Sequence, residues 1–84
     1  PELGDFLAAA LAQSLLAELA GAKRRVVLEL GAGTGALGEQ LQDAFAAAGA
    51  PLDAYLILEP SASLRARQAE RLARFGERVS WQAG

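Results

Sequence analysis

Apolar residues recur at helical spacing through the opening stretch, at Leu3, Phe6, Leu7, Ala10, Leu11, Leu15 and Leu19. That spacing places them on one face of a 3.6-residue helix. Glu2, Asp5, Gln13 and Glu18 interrupt the run, at intervals costly for a bilayer-spanning segment. The pattern predicts an amphipathic soluble helix over residues 5–20, stopped at Gly21. Val26-Val27-Leu28-Glu29-Leu30 is a short, β-branched apolar run bounded by glycines, the signature of a parallel strand buried on both faces. Helical spacing returns at Leu37, Leu41, Ala44, Phe45 and Ala48, with Glu39, Gln40, Gln42 and Asp43 on the other face and Gly49 and Pro51 ending the helix. Tyr55-Leu56-Ile57-Leu58 predicts a second buried strand closed by Glu59 and Pro60. Ser61 or Ser63 can cap a third helix, with Leu64, Leu72 and Phe75 as its apolar stripe and Gly76 as its stop. Val79-Ser80-Trp81-Gln82 predicts a third strand.

The order is a helix followed by β-α-β-α-β. Alternation of this kind implies an α/β fold with a parallel sheet and right-handed crossovers. Ligands of such sheets bind at the carboxyl ends of the strands. Glu29 to Gly35 and Glu59 occupy two such ends, so the residues with chemistry to offer converge on one edge.

Glu29-Leu30-Gly31-Ala32-Gly33-Thr34-Gly35 is the sharpest motif. Glycines between a strand and a helix allow a tight turn and close approach of a ligand to the main chain. The following helix offers unpaired N–H groups and a partial positive charge, which suit an anionic group. Gly33-Thr34-Gly35-Ala36-Leu37-Gly38 formally matches the dinucleotide pattern G-x-G-x-x-G. S-adenosylmethionine instead brings a carboxylate, an ammonium and a sulfonium, and no phosphate. Glu29 weighs between the two. Beside a pyrophosphate it is a like-charge neighbour, whereas beside an ammonium or sulfonium it is complementary. Glu59 can accept hydrogen bonds from ribose hydroxyls, which both cofactors possess. Without a ligand, the loop reads as a tight structural turn, Glu59 as a solvated strand-end acid and Ser61 as a helix cap.

Charge and composition narrow the classes. The 84 residues carry a net charge of −2, and the pI is about 5.0, so nothing recruits nucleic acid or an anionic membrane. With no Cys and no His in the chain, disulfides, thiolate zinc sites and a histidine base are excluded from it. Arg65, Arg67, Arg71 and Arg74 crowd one helix; without interleaved aromatics they read as a solvated face paired with Glu70 and Glu77. Gln68 lies on the apolar stripe between Leu64 and Leu72; a bond to a neighbouring loop is one reading of it, and a partly exposed side chain is the default. The chain begins at Pro1, contains no Met and stops after the third strand, and so reads as an excerpt of a longer domain.

The glycine motif resembles the first motif of class I methyltransferases. Tyr55-Leu56-Ile57-Leu58-Glu59-Pro60-Ser61, followed by Leu64-Arg65-Ala66-Arg67-Gln68, resembles the MidA-like family, which includes mitochondrial arginine methyltransferases that assist complex I assembly. Pro1-Glu2-Leu3-Gly4 and Val79-Ser80-Trp81 also resemble that family's segments. The resemblance implies a partial Rossmann-like class I methyltransferase fold, with residues 1–84 as the N-terminal part of one S-adenosyl-L-methionine-binding domain. It further implies that Gly31, Gly33 and Gly35 approach the methionine part, Glu29 lies near its amino group and Glu59 holds the ribose, with Ala32, Thr34, Pro60 and Ser61 completing the candidate cofactor-binding set. A protein acceptor, arginine in the characterised members, follows from the same resemblance; a cytoplasmic or mitochondrial-matrix setting is the default expectation where no signal peptide is visible. No catalytic residue and no metal ligand set is identified. An oxidoreductase fragment and a non-catalytic interaction module stand as the alternatives.

Overall fold

The structure, a computed structural model, describes residues 3–82, with side chains from residue 9 onward. The Pro1–Gly4 resemblance and the apolar positions Leu3, Phe6 and Leu7 therefore fall wholly or partly outside what is described. The elements are α1 (Leu3–Leu19), β1 (Val26–Leu30), α2 (Ala36–Ala47), β2 (Ala54–Leu58), α3 (Ala62–Arg71), a 3-10 segment (Ala73–Arg78) and β3 (Val79–Trp81). The strands form one sheet in the order β1-β2-β3. Both pairings are parallel, with Leu28 opposite Leu56 and Ile57 opposite Trp81. The α/β reading and the element order hold.

Alternation along the strands divides the sheet into two faces. Val27, Tyr55, Ile57, Val79 and Trp81 pack with Ala12, Leu41, Phe45, Leu52 and Leu72 into the core. Tyr55 and Phe45 are completely buried, and burying each aromatic side chain contributes about 1.5–3 kcal/mol. The other face is different. Val26, Leu28 and Leu30 are 38%, 56% and 67% exposed. The expectation that β1 is buried on both sides is thus corrected. Its apolar residues suit two covered faces, but the buried residues of the described helices all join the core on one side.

Local chemistry sets the helix ends. The N–H of Gly49 donates to Ala46 O at 3.0 Å and that of Ala50 to Phe45 O at 2.9 Å. This is a Schellman closure of α2, with Gly49 at φ 73° and Pro51 just beyond. Ser61 caps α3, its Oγ accepting from the Leu64 N–H at 3.3 Å. Gly21 follows α1 without a left-handed cap; the Ala22 N–H turns back to Leu19 O at 3.0 Å. The third helix does not run unbroken to Gly76 as expected. It closes at Leu72, and the chain tightens into the 3-10 segment, where Gly76 takes φ 63°, ψ −138°.

The arginines of this region also depart from expectation. Arg71 Nε pairs with Glu39 at 3.3 Å, and Arg74 Nη2 pairs with Asp43 at 2.7 Å and Glu39 at 3.6 Å. The bridges join α3 and the 3-10 segment to α2, not to Glu70 or Glu77, because the packed elements present the α2 carboxylates directly. The Arg74 hydrogen bond holds the Asp43 carboxyl below its ordinary value. These pairs are exposed, so each stabilises little.

Gly76 adopts a conformation essentially reserved for glycine. Gly76→Ala should lower unfolding stability by about 1–3 kcal/mol, read from the denaturant midpoint of the protein at its natural length. An unchanged midpoint would show that the backbone relaxes there without strain.

Candidate functional site

The parallel register brings the ends of β1 and β2 side by side. The Gly31 N–H donates to Leu58 O at 3.0 Å, tying the start of the glycine loop to the end of β2. Gly31, Gly33 and Gly35 take φ values of 65°, 57° and 89°, a region costly for any residue with a Cβ. At Gly31 and Gly33 a Cβ would meet nothing within 4 Å, so open space lies beside the main chain there. At Gly35 it would lie 3.5 Å from Gln68 Cα and from Leu72. The loop thus needs glycine for its turn throughout, and at Gly35 it also lies against α3. Ala32 is buried in the core, whereas Thr34 is exposed.

Glu29 is half-buried on the core-facing side of β1. The Tyr55 hydroxyl donates to its Oε1 at 2.6 Å. Burial first, and then the hydrogen bond to Glu29, push the Tyr55 phenol above its ordinary value. It stays a neutral donor and holds the carboxylate at a fixed angle. Gly38 makes room for this: a Cβ there would come within 3.2 Å of the Tyr55 ring.

Glu59 is 6% exposed. Its Oε2 accepts from the Ser61 N–H at 3.2 Å and its Oε1 from Gln68 Nε2 at 3.1 Å. Arg65 Nη1 donates to the carbonyls of Glu59 at 2.7 Å and Pro60 at 3.0 Å, fixing the turn that carries the acid. Pro60 is exposed and Ser61 half-buried. Gln68 is completely buried, contrary to the partly exposed reading. Its Nε2 also donates to Gly33 O at 2.7 Å, and its Oε1 accepts from Trp81 Nε1 at 2.8 Å. Burial is tolerable because both ends of the amide are satisfied. Arg71 Nη1 reaches Thr34 Oγ1 at 3.4 Å.

The structure therefore joins the glycine loop to Glu59 through Gln68, and seats Glu29 on Tyr55. Sequence reasoning missed Tyr55, Arg65, Arg71 and Trp81 as parts of this region, and ranked the bond of Gln68 to a neighbouring loop below exposure. One signal for Gln68 was available: a polar residue at the middle of the i, i+4, i+8 stripe Leu64-Gln68-Leu72. Among the described residues no acidic, His or Cys cluster could hold a metal ion, and no helix is long and apolar enough to cross a membrane.

Comparison with known proteins follows the same lines. Two crystal structures from Burkholderia thailandensis, one native and one bound to S-adenosyl-homocysteine, superpose with a TM-score of 0.82 at 41% identity. Each match covers 100% of this chain and 24% or 23% of the other, so the chain spans about a quarter of their length. A Pyrococcus horikoshii protein described as a "putative RNA methyltransferase" superposes with a TM-score of 0.69 at 23% identity, over 93% of this chain and 35% of that one. That likeness is one of fold, and the fold is Rossmann-like of the class I methyltransferase kind. No curated protein matches the chain. A family model described as "Putative S-adenosyl-L-methionine-dependent methyltransferase" matches residues 6–84, and the chain belongs to that family.

Proposed function

We propose that this chain supplies the cofactor-binding part of an S-adenosylmethionine-dependent methyltransferase. The observation that carries the reading is the placement of two oriented carboxylates, Glu29 and Glu59, on either side of a positive-φ glycine loop. The open space beside Gly31 and Gly33 fits a ligand lying along the main chain. Glu29, held by Tyr55, would face the cofactor's ammonium. Glu59 has spent two acceptor positions on Ser61 and Gln68. An ionised carboxylate has about four, which leaves capacity for ribose hydroxyls. The S-adenosyl-homocysteine held by the Burkholderia relative supports the same cofactor class here.

The cofactor supplies an activated methyl group. These residues bind it and fix its orientation, and positioning provides much of the rate in such a displacement. The MidA-like resemblance of Tyr55–Ser61 favours a protein acceptor, with arginine first. The acidic balance of the chain is consistent with that over RNA. A dinucleotide is the second reading, and one observation favours it. Gly38 packs against the Tyr55 ring, as the third glycine of a dinucleotide loop packs its helix on a strand. The charge of Glu29 opposes it.

Calorimetry on the protein at its natural length separates the readings. S-adenosyl-homocysteine should bind and NADH should not. NADH binding alone would overturn the charge argument at Glu29, and binding of neither would favour an interaction module without a cofactor. Glu59→Ala should weaken S-adenosyl-homocysteine at least about tenfold, the scale of a hydrogen bond to a charged group; unchanged affinity would sink the assignment of Glu59. Tyr55→Phe leaves the ring in the core and removes only the donor to Glu29. It should weaken the same ligand roughly 3- to 10-fold, whereas wild-type affinity would mean that Glu29 needs no orientation to bind.

A further inference from the structure

The side chain of Gln68 bonds at once to the glycine loop, to Glu59 and to β3. Its Nε2 spans Gly33 O and Glu59 Oε1, at 2.7 and 3.1 Å, and its Oε1 receives the Trp81 indole N–H at 2.8 Å. A carboxamide can be seated in either of two orientations, which differ only by exchange of oxygen and nitrogen. Here the partners leave no choice. The indole N–H can only donate, so it demands the amide oxygen. The Gly33 carbonyl and the Glu59 carboxylate can only accept, so they demand the nitrogen. All three requirements agree, inside a site where Gln68 is fully buried and a reversed amide would set oxygen against oxygen and leave the indole unpaired.

Resting on the methyltransferase reading above, we infer that Gln68 is a positioning residue for the cofactor site and that Trp81 sets its orientation. The amide fixes the separation between the Gly33 turn and the Glu59 carboxylate, the two groups that must meet opposite parts of one ligand. Trp81, on β3, keeps the donating end turned toward them. The affinity of the site is thereby tied to the docking of β3. Arg71 on Thr34 and Leu72 against Gly35 place the rest of the loop on the same helix, so α3 forms the seat and Gln68 its directional contact.

The test uses the protein at its natural length with S-adenosyl-homocysteine as the probe. Gln68→Met keeps the shape of the side chain and removes the amide. It should weaken binding roughly 10- to 100-fold, the scale for removing a donor from a charged acceptor, while the thermal midpoint changes little beside that loss. Trp81→Phe keeps an aromatic ring and removes the donor that anchors the amide oxygen; it should weaken binding roughly 3- to 10-fold. The wild-type protein provides a readout that a packing role does not move. Trp81 is the sole tryptophan of these 84 residues, and its indole N–H resonance, assigned by its loss in Trp81→Phe, should shift when the probe is added. Wild-type binding with both variants within twofold of it, or with an unmoved indole resonance, overturns the role of Gln68 and leaves the cofactor reading standing. Absence of binding to the wild-type protein overturns the cofactor reading itself. Should Gln68→Met fail to fold, Trp81→Phe and the indole shift decide between these outcomes.

Discussion

A buried carboxamide is costly to leave with an unsatisfied end, and at Gln68 the way this cost is met organises the carboxyl edge of the sheet. Gln68 meets it by bonding to the Gly33 carbonyl, the Glu59 carboxylate and the Trp81 indole. Those partners belong to the loop after β1, the turn after β2 and the strand β3. Elements far apart in the chain therefore share one polar centre. The parallel register places the strand ends together, and the amide decides how they face one another. Around it, Arg65 holds the carbonyls of Glu59 and Pro60, and the Ser61 cap starts α3 at the angle that brings Gln68 inward.

A second buried polar group does comparable work one strand away. The Tyr55 hydroxyl seats Glu29 at 2.6 Å, and burial and the carboxylate beside it push its phenol above its ordinary value. Both acids of the site are thus held by neutral donors rather than by cations, since the nearby arginines engage carbonyls or the carboxylates of α2. A carboxylate oriented without a neutralising partner keeps its charge available to a cationic ligand group. That distinction is what favours an ammonium or sulfonium over a pyrophosphate at Glu29.

Much of this was legible in the sequence, for identifiable reasons. Strand and helix order followed from the change of apolar period at Val26, Leu37 and Tyr55. The glycine loop followed from its position between a strand and a helix, and the α2 stop from Gly49 and Pro51. What was not legible depended on packing between elements. An apolar stripe cannot reveal that the polar residue within it has partners on three other segments, so Gln68 read as partly exposed. Arginines on one helix suggest partners on the same helix, but Glu39 and Asp43 of α2 were closer. The composition of β1 suits two covered faces, and the described helices cover one, leaving Leu28 and Leu30 exposed.

Hydrogen exchange measured with and without S-adenosyl-homocysteine, on the protein at its natural length, tests the central claim most directly. The account predicts slowed exchange at the amides of residues 31–35 and of Glu59 and Ser61, with no change at the α2 closure around Gly49. Protection confined to other segments, or absent from both strand ends while the ligand is bound, would contradict it.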